Sequence, residues 1–259
     1  ERERIGAVNL LAEDEYSKLR EKVDETIKDK NEIQESIENS FNDIGRENSI
    51  IIVRSNKRAN QYNQQIRKTI LSHEHKVCSG DLLMITKNNY FWTSSDSEIP
   101  FLANGDIIEI LEIQRIRELY GFEFAEVKIK MVDYNNQPPF DTIIILNTLD
   151  SDLPSLSFEQ SNLLYHEIQK DYLNIKSKYK RFLKTKENPF FNALHVKFSY
   201  SITCHKAQGG QWPVVFIEKP FLKDGPDIDY MRWLYTAVTR AESKLFFHFW
   251  FFSKIVPRL

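Results

Sequence analysis

The chain has 259 residues, 41% of them hydrophobic and 28% charged, with a formal net charge of −2. This length suits one large domain or two smaller ones, and the near-neutral balance excludes a globally basic nucleic-acid binder, so any phosphate contact must be a local groove. Two cysteines, Cys78 and Cys204, are too few for a disulfide framework; neither belongs to a C-x-x-C pair, which speaks against structural zinc. The sequence shows no signal-peptide pattern, and its longest aromatic-rich run, 245–252, is too short to span a bilayer, so the expected compartment is the reducing cytoplasm.

Residues 1–47 are charged and poor in glycine. Tyr16, Leu19, Val23 and Ile27 recur at helical spacing, continued by Ile33, Ile37, Phe41 and Ile44. This predicts helices with one apolar face that pack on a domain. The run 49–53 is continuously apolar and predicts a buried parallel strand. Arg54, Ser55 and Asn56 close it, and Ser55 or Asn56 can cap a helix over 57–71. An arginine directly after such a strand stands at the ligand edge of an α/β sheet. By itself it reads better as a surface arginine paired with a nearby carboxylate.

From 77 to 149 the pattern changes to short strands at 81–85, 106–113, 124–132 and 142–146. Turn residues separate them at 87–89, 104–106, 120–121 and 135–139. This spacing predicts a small antiparallel barrel. Tyr90, Phe91 and Trp92 are a stacking platform if bare, but aromatics of small barrels usually lie in the core. Residues 157–186 predict helix, with Leu163, Leu164, Ile168, Tyr172, Ile175, Tyr179 and Phe182 on one face. Lys176, Lys178, Lys180, Arg181, Lys184 and Lys186 form a basic cluster, read as a solvated face with phosphate contact as the alternative. Asn188-Pro189 ends this helix.

The stretch FSYSITCHKAQGGQW at 198–212 begins with strand alternation and breaks into a polar, glycine-bearing turn. A second apolar run follows at 214–217. Thr203 and His205, two residues apart, face one side in extended geometry and offer a hydroxyl and a ring N–H to a phosphate. Lys206 adds a point charge. A general-base role for His205 lacks any nucleophile or paired carboxylate in the stretch. Further on, Arg240 stands near the end of an amphipathic helix whose expected core face is Leu234, Tyr235 and Val238.

T-x-H-K-x-Q-G at 203–209, followed by Y-T-A-x-T-R-A at 235–241, resembles motifs V and VI of superfamily 1 helicases, especially the RecD-like branch. SIIIVRSN and KRANQYN at 49–63 resemble motif IV. The resemblance implies a RecA-like, P-loop NTPase-type α/β second motor domain interrupted by a Src-homology-3-like β-barrel and a helical segment. FLANGDIIEI at 101–110 resembles part of that inserted barrel. The expected layout is 1–75 motor domain, 76–150 barrel, 151–189 helical connector and 190–259 motor domain again. The Walker A pattern and an apolar strand ending in Asp-Glu are missing. With Glu1 at the start, the chain reads as the carboxyl-terminal part of a helicase, unable to hydrolyse ATP alone.

The resemblance further implies roles. Arg240 is the arginine finger and Arg54 also addresses the terminal phosphate, which requires both on one open face. Gly210 and Gln211 border the nucleotide, although many relatives carry a glutamate where Gln211 stands. Thr203, His205, Lys206, Gln208 and Asn56 contact DNA, and the barrel helps to guide the single strand. ATP and Mg2+ are bound mainly by the first motor domain. The intact protein is expected to translocate 5′ to 3′ on single-stranded DNA, unwind duplex junctions, and act in repair or recombination. The alternatives are a non-catalytic nucleic-acid-binding adaptor, an RNA helicase, or a subunit of a helicase–nuclease recombination complex.

Overall fold

The computed structural model describes residues 2–93, 99–134, 136–219, 222 and 225–249. Leu19, Val23 and Ile27 of the predicted stripe, Asn135 of a predicted turn and 250–252 of the aromatic run lie outside the described residues or side chains. One helix, α1 (Arg2–Ile44), replaces the several expected. Near its end Ile37 and Phe41 are buried, whereas Tyr16 and Ile44 are exposed. Gly45, at φ 95°, stops the helix in the left-handed region that favours glycine, its N–H reaching the Phe41 carbonyl at 3.2 Å. The apolar run then forms β1 (Ser49–Val53), buried at every position. Ser55 caps α2 (Asn56–Thr69), its Oγ accepting from the Arg58 N–H at 3.2 Å.

Five strands close a barrel: β2 (Leu82–Ile85), β3 (Ile107–Leu119), β4 (Phe122–Met131), β5 (Phe140–Ile145) and β6 (Leu194–Phe198). The β3–β4 hairpin turns at Tyr120 and Gly121, both at positive φ, the geometry that matches the right-handed twist of its strands. Between β5 and β6 the predicted long helix divides into α3 (Phe158–Lys170) and α4 (Lys178–Lys186). The division has a local cause, because Ser177 is itself a cap whose Oγ accepts from the Lys180 N–H. Leu164 and Ile168 of α3 pack on the outer barrel residues Phe124, Ile143 and Ile145. The lysines at 176, 178, 180, 184 and 186 are exposed.

After the barrel come β7 (Ser201–Thr203), β8 (Trp212–Lys219), α5 (Ile228–Val238) and β9 (Ala241–Phe249). They join β1 in a parallel sheet of order β7-β1-β8-β9. The single strand expected at 198–203 is two. The Ser199 N–H still bonds to Leu82 of the barrel, whereas the Tyr200 carbonyl accepts from Ile51 of the sheet. The backbone changes partner within that step, so the barrel takes its fifth strand from residues expected in the motor segment 190–259. One hydrophobic core follows, running from Ile51 and Phe216 of the sheet through Phe41 and Tyr200 into Ile108 and Val127 of the barrel. On the other sheet face, α5 packs through Trp233, Leu234, Ala237 and Val238. Tyr235, expected on that face, is exposed because it falls on the opposite side of the helix. No described helix is long and apolar enough to cross a membrane.

Candidate nucleic-acid interface

β1 and β7 end side by side. Val53 pairs with Thr203, and the Cys204 N–H continues the ladder to the Val53 carbonyl at 3.2 Å. Beyond this point the chains diverge into Arg54, Ser55 and Asn56 on one side and the turn 204–211 on the other. Cys204 and Ala207 are buried against the α5 face of the sheet and anchor the turn. N–H groups of Lys206 and Ala207 bond to the Thr203 carbonyl at 2.9 and 3.1 Å. With its small residues pinned inward, the turn presents His205 and Gln208 to solvent. Gly209, at φ 87°, supplies the left-handed step that reverses the chain.

Between this edge, α2 and the barrel lies a small cavity of about 40 Å3, lined by Asn56, Asn60, Thr203, Lys206 and Lys197. Asn56, Thr203 and Lys206, named from two separate stretches of the sequence, are therefore brought together. Arg54 stands exposed at the same sheet edge. Lys206 Nζ donates to Asn104 Oδ1 of the barrel at 2.6 Å, and burial holds its pKa below the usual lysine range. The sequence reading missed Lys197. Its Nζ donates to the Leu149 carbonyl at 3.3 Å and to the Ser151 carbonyl. Desolvation brings its pKa down to about 8, against the opposing pull of Asp150 and Asp152. The signal was present, since His195 and Lys197 alternate with Leu194, Val196 and Phe198.

Arg58 and Glu218 form a second unforeseen pair near this edge. Arg58 Nε donates to the Glu218 carboxylate oxygens at 2.9 and 3.2 Å, and Tyr62 Oη donates at 3.2 Å. Glu218 is buried at the end of β8, so the pair fastens α2 to the sheet.

Gly210, Gln211 and Arg240 lie elsewhere. They precede β8 and β9, at the amino-terminal edge of the sheet, where the Trp212 N–H bonds to the Arg240 carbonyl at 2.9 Å. The strand register separates Arg240 from Arg54 by roughly eight rungs, on the order of 25 Å. The expectation that both arginines address one phosphate from a common face therefore fails: they leave opposite ends of the same parallel strands. The Arg240 guanidinium is partly committed, donating to the carbonyls of Thr236 and Gly210 and to Thr239 Oγ1 at 3.0–3.1 Å. Three of its five N–H donors are so used, and two find no partner among the described residues. A Cβ at Gly210 would collide with the Trp212 ring, so a side chain there requires that ring to move. Gln211 borders a polar cavity of about 510 Å3 shared with Arg46, Lys130 and Asp133.

One cluster resembles a metal site without behaving as one. Ligand atoms of His73, Cys78 and Asp81 lie within 4.8 Å of one another. Asp81, fully buried, spends its oxygens on Arg67 Nε and Nη2 (2.9 Å each), His73 Nδ1 (2.9 Å), the Cys78 N–H (2.7 Å) and Tyr200 Oη (3.2 Å). The guanidinium is the cation of this site, and the bidentate pair ties α2 to the barrel entrance.

Residues 198–247, from the end of β6 into β9, match the family model described as the UvrD-like helicase C-terminal domain. This segment of the chain is thus similar to a superfamily 1 helicase C-terminal domain. No curated protein matches the chain. Among solved structures it is similar to the Pif1 helicase from Candida albicans, with 12% identity and TM-score 0.39 over 78% of this chain and 44% of that one. The Pif1 helicase from Bacteroides in complex with ADP-AlF3 and ssDNA gives 10% identity and TM-score 0.41 over 81% and 42%. A structure of two coordinating Pif1 helicases unwinding forked dsDNA gives 12% identity and TM-score 0.33 over 70% and 30%. The chain spans less than half the length of each.

Proposed function

We propose that the chain is the second motor domain of an ATP-dependent superfamily 1 DNA helicase of the RecD-like kind, with β2–β6 as its Src-homology-3-like accessory barrel. One observation carries the reading. The turn 204–211 begins at the cleft lined by Asn56, Thr203 and Lys206 and ends at Gly210, whose carbonyl accepts from Arg240. A single short segment therefore joins a phosphate-binding edge to an arginine at the opposite edge, which is the connection a motor needs between nucleotide and strand. Thr203, Lys206 and Asn56 hold the strand backbone, with His205 and Gln208 on the outer side of the turn. Exposed Arg54 belongs with them in this arrangement.

At the other edge, the two uncommitted N–H donors of Arg240 and the backbone at Gly210–Gln211 fit a partial role toward a nucleotide phosphate. ATP supplies the free energy of phosphoryl transfer, and its magnesium is held by the first motor domain. Closure of that domain on Arg240 pulls on the Gly210 carbonyl and so on the turn that grips the strand.

The test is fluorescence anisotropy of a labelled oligothymidylate titrated with the chain at several salt concentrations. Binding is expected to be weak and to weaken with salt by about 0.7 in log K per log salt for each phosphate engaged. The pair Thr203→Ala and Lys206→Met should flatten that slope by about one phosphate. A slope unaffected by both substitutions removes this edge from the strand's path.

A further inference from the structure

Beside the phosphate-binding edge, on the outer surface of the barrel, lies a cavity of about 310 Å3. Its walls come from the loop after β2 (Lys87, Asn88, Phe91), from Ser161 of α3, from Phe191 and from His195 of β6. That volume lies at the lower end of small-ligand pockets and suits one heteroaromatic ring system with its sugar. The lining is mixed in the way such a ring requires, with aromatic surface for its faces and donors for its edges. Tyr90 and Phe91 at the mouth are exposed, against the expectation that they lie in the barrel core. Of that trio only Trp92 is drawn inward, its Nε1–H bonded to the Asn192 carbonyl at 2.8 Å.

Two observations aim the cavity at a ligand and connect it to the edge described above. His195 is only 8% exposed, and its Nδ1 accepts from the Leu156 N–H at 3.4 Å. Its Nε2 therefore carries the proton and has no partner among the described residues. Burial and the nearby Lys87 hold its pKa down to about 4, so the ring is neutral and keeps this donor near neutral pH. The connection runs by two routes. His195 and Lys197 alternate on the outward side of β6, about 7 Å apart along the strand. Lys206 donates to Asn104 Oδ1 at 2.6 Å, and the Asn104 N–H donates to Asn88 Oδ1 at 2.8 Å, at the cavity wall.

We propose that this cavity takes one unstacked nucleobase of the single strand whose phosphates lie on Thr203, Lys206 and Lys197, with His195 Nε2–H bonding an acceptor on the base edge. The inference rests on the strand-edge reading given above. It makes the barrel a base-holding wall, so that each strand position in register loses its stacking on one neighbour.

The experiment compares oligothymidylate with a base-free tetrahydrofuran strand of equal length, each titrated with the whole chain. The base-bearing strand should bind on the order of tenfold more tightly, as expected for one base in an aromatic site. Ser161→Trp, which fills the cavity from the surface of α3, should abolish that preference while leaving the salt dependence unchanged. Phe91→Ala, at an exposed position, should reduce the preference by roughly half on a logarithmic scale. Equal binding of both strands by the unaltered chain, or a preference that survives both substitutions, overturns the base pocket and leaves the phosphate edge standing. Failure to bind either strand overturns the edge itself, and the pocket with it.

Discussion

Asn63 and Ser201 are joined by reciprocal hydrogen bonds. The Ser201 N–H donates to Asn63 Oδ1 at 2.7 Å, and Asn63 Nδ2 donates to the Ser201 carbonyl at 2.9 Å and the Phe198 carbonyl at 3.0 Å. One buried amide on α2 thus spans the bend where the chain leaves the barrel and enters the sheet, and it sets the alignment of Thr203 two residues later. Asn63→Ala should strand three buried backbone groups and cost about 3 kcal/mol or more. Chemical denaturation measures this, and a loss under 1 kcal/mol means that the bend holds itself.

Under the proposed function Arg240 has a double duty, toward a nucleotide and toward the Gly210 carbonyl. Arg240→Ala in the full-length protein should lower ATP turnover by at least about 10³-fold, since an arginine of this type contributes on the order of 10³–10⁵. Oligothymidylate affinity without nucleotide should change by less than about threefold. Steady-state turnover and anisotropy decide it together. Unimpaired turnover reduces Arg240 to a fastener between α5 and Gly210.

If the edge binds a strand as proposed, Lys197 gives it a pH signature. Its pKa of about 8 in the free chain means that the charge which attracts phosphate is lost as pH rises through about 8, earlier than for an ordinary lysine. A bound phosphate favours the ammonium, so affinity should fall as pH is raised from 7 to 9. Lys197→Met should bind more weakly at pH 7 and lose most of that dependence. An unaltered profile in the variant excludes Lys197 from the contact.

His195 predicts acid sensitivity of the fold. Its pKa is depressed to about 4 in the folded chain, against 6.5 for an ordinary histidine, so the unfolded chain binds more protons between those values. Stability is therefore full above about pH 6.5 and declines as pH falls toward 4, by about 3 kcal/mol in total. Denaturation midpoints across that range test the point. His195→Gln should show a flatter profile, and an equally steep one assigns the acid lability elsewhere.

Much of this arrangement was legible because its signals are local. The five-residue run at 49–53, the Tyr120-Gly121 turn and the glycine-bearing break after Thr203 each follow from apolar runs or turn preference over a few residues. The convergence of Asn56, Thr203 and Lys206 was legible through motif resemblance. What escaped depends on long-range pairing. Nothing local shows that Phe198 ends in one sheet and Ser201 begins in another, because the alternation of apolar residues continues unbroken through the bend. Buried partnerships such as Arg58 with Glu218 and Arg67 with Asp81 join positions whose proximity only the assembled topology creates. The separation of Arg54 from Arg240 is of the same kind, since a motif records residue order and not which end of a strand it occupies.

The step from Phe198 to Ser201 also limits how the molecule can be dismantled. A deletion of the barrel at the boundaries its sequence suggests would orphan Leu194, Val196 and Phe198, exposing apolar side chains beside an unpaired strand edge. It would also loosen the stretch that aligns Thr203. The barrel is plumbed into the parallel sheet, and neither is a cassette that can be lifted out while the other keeps its shape.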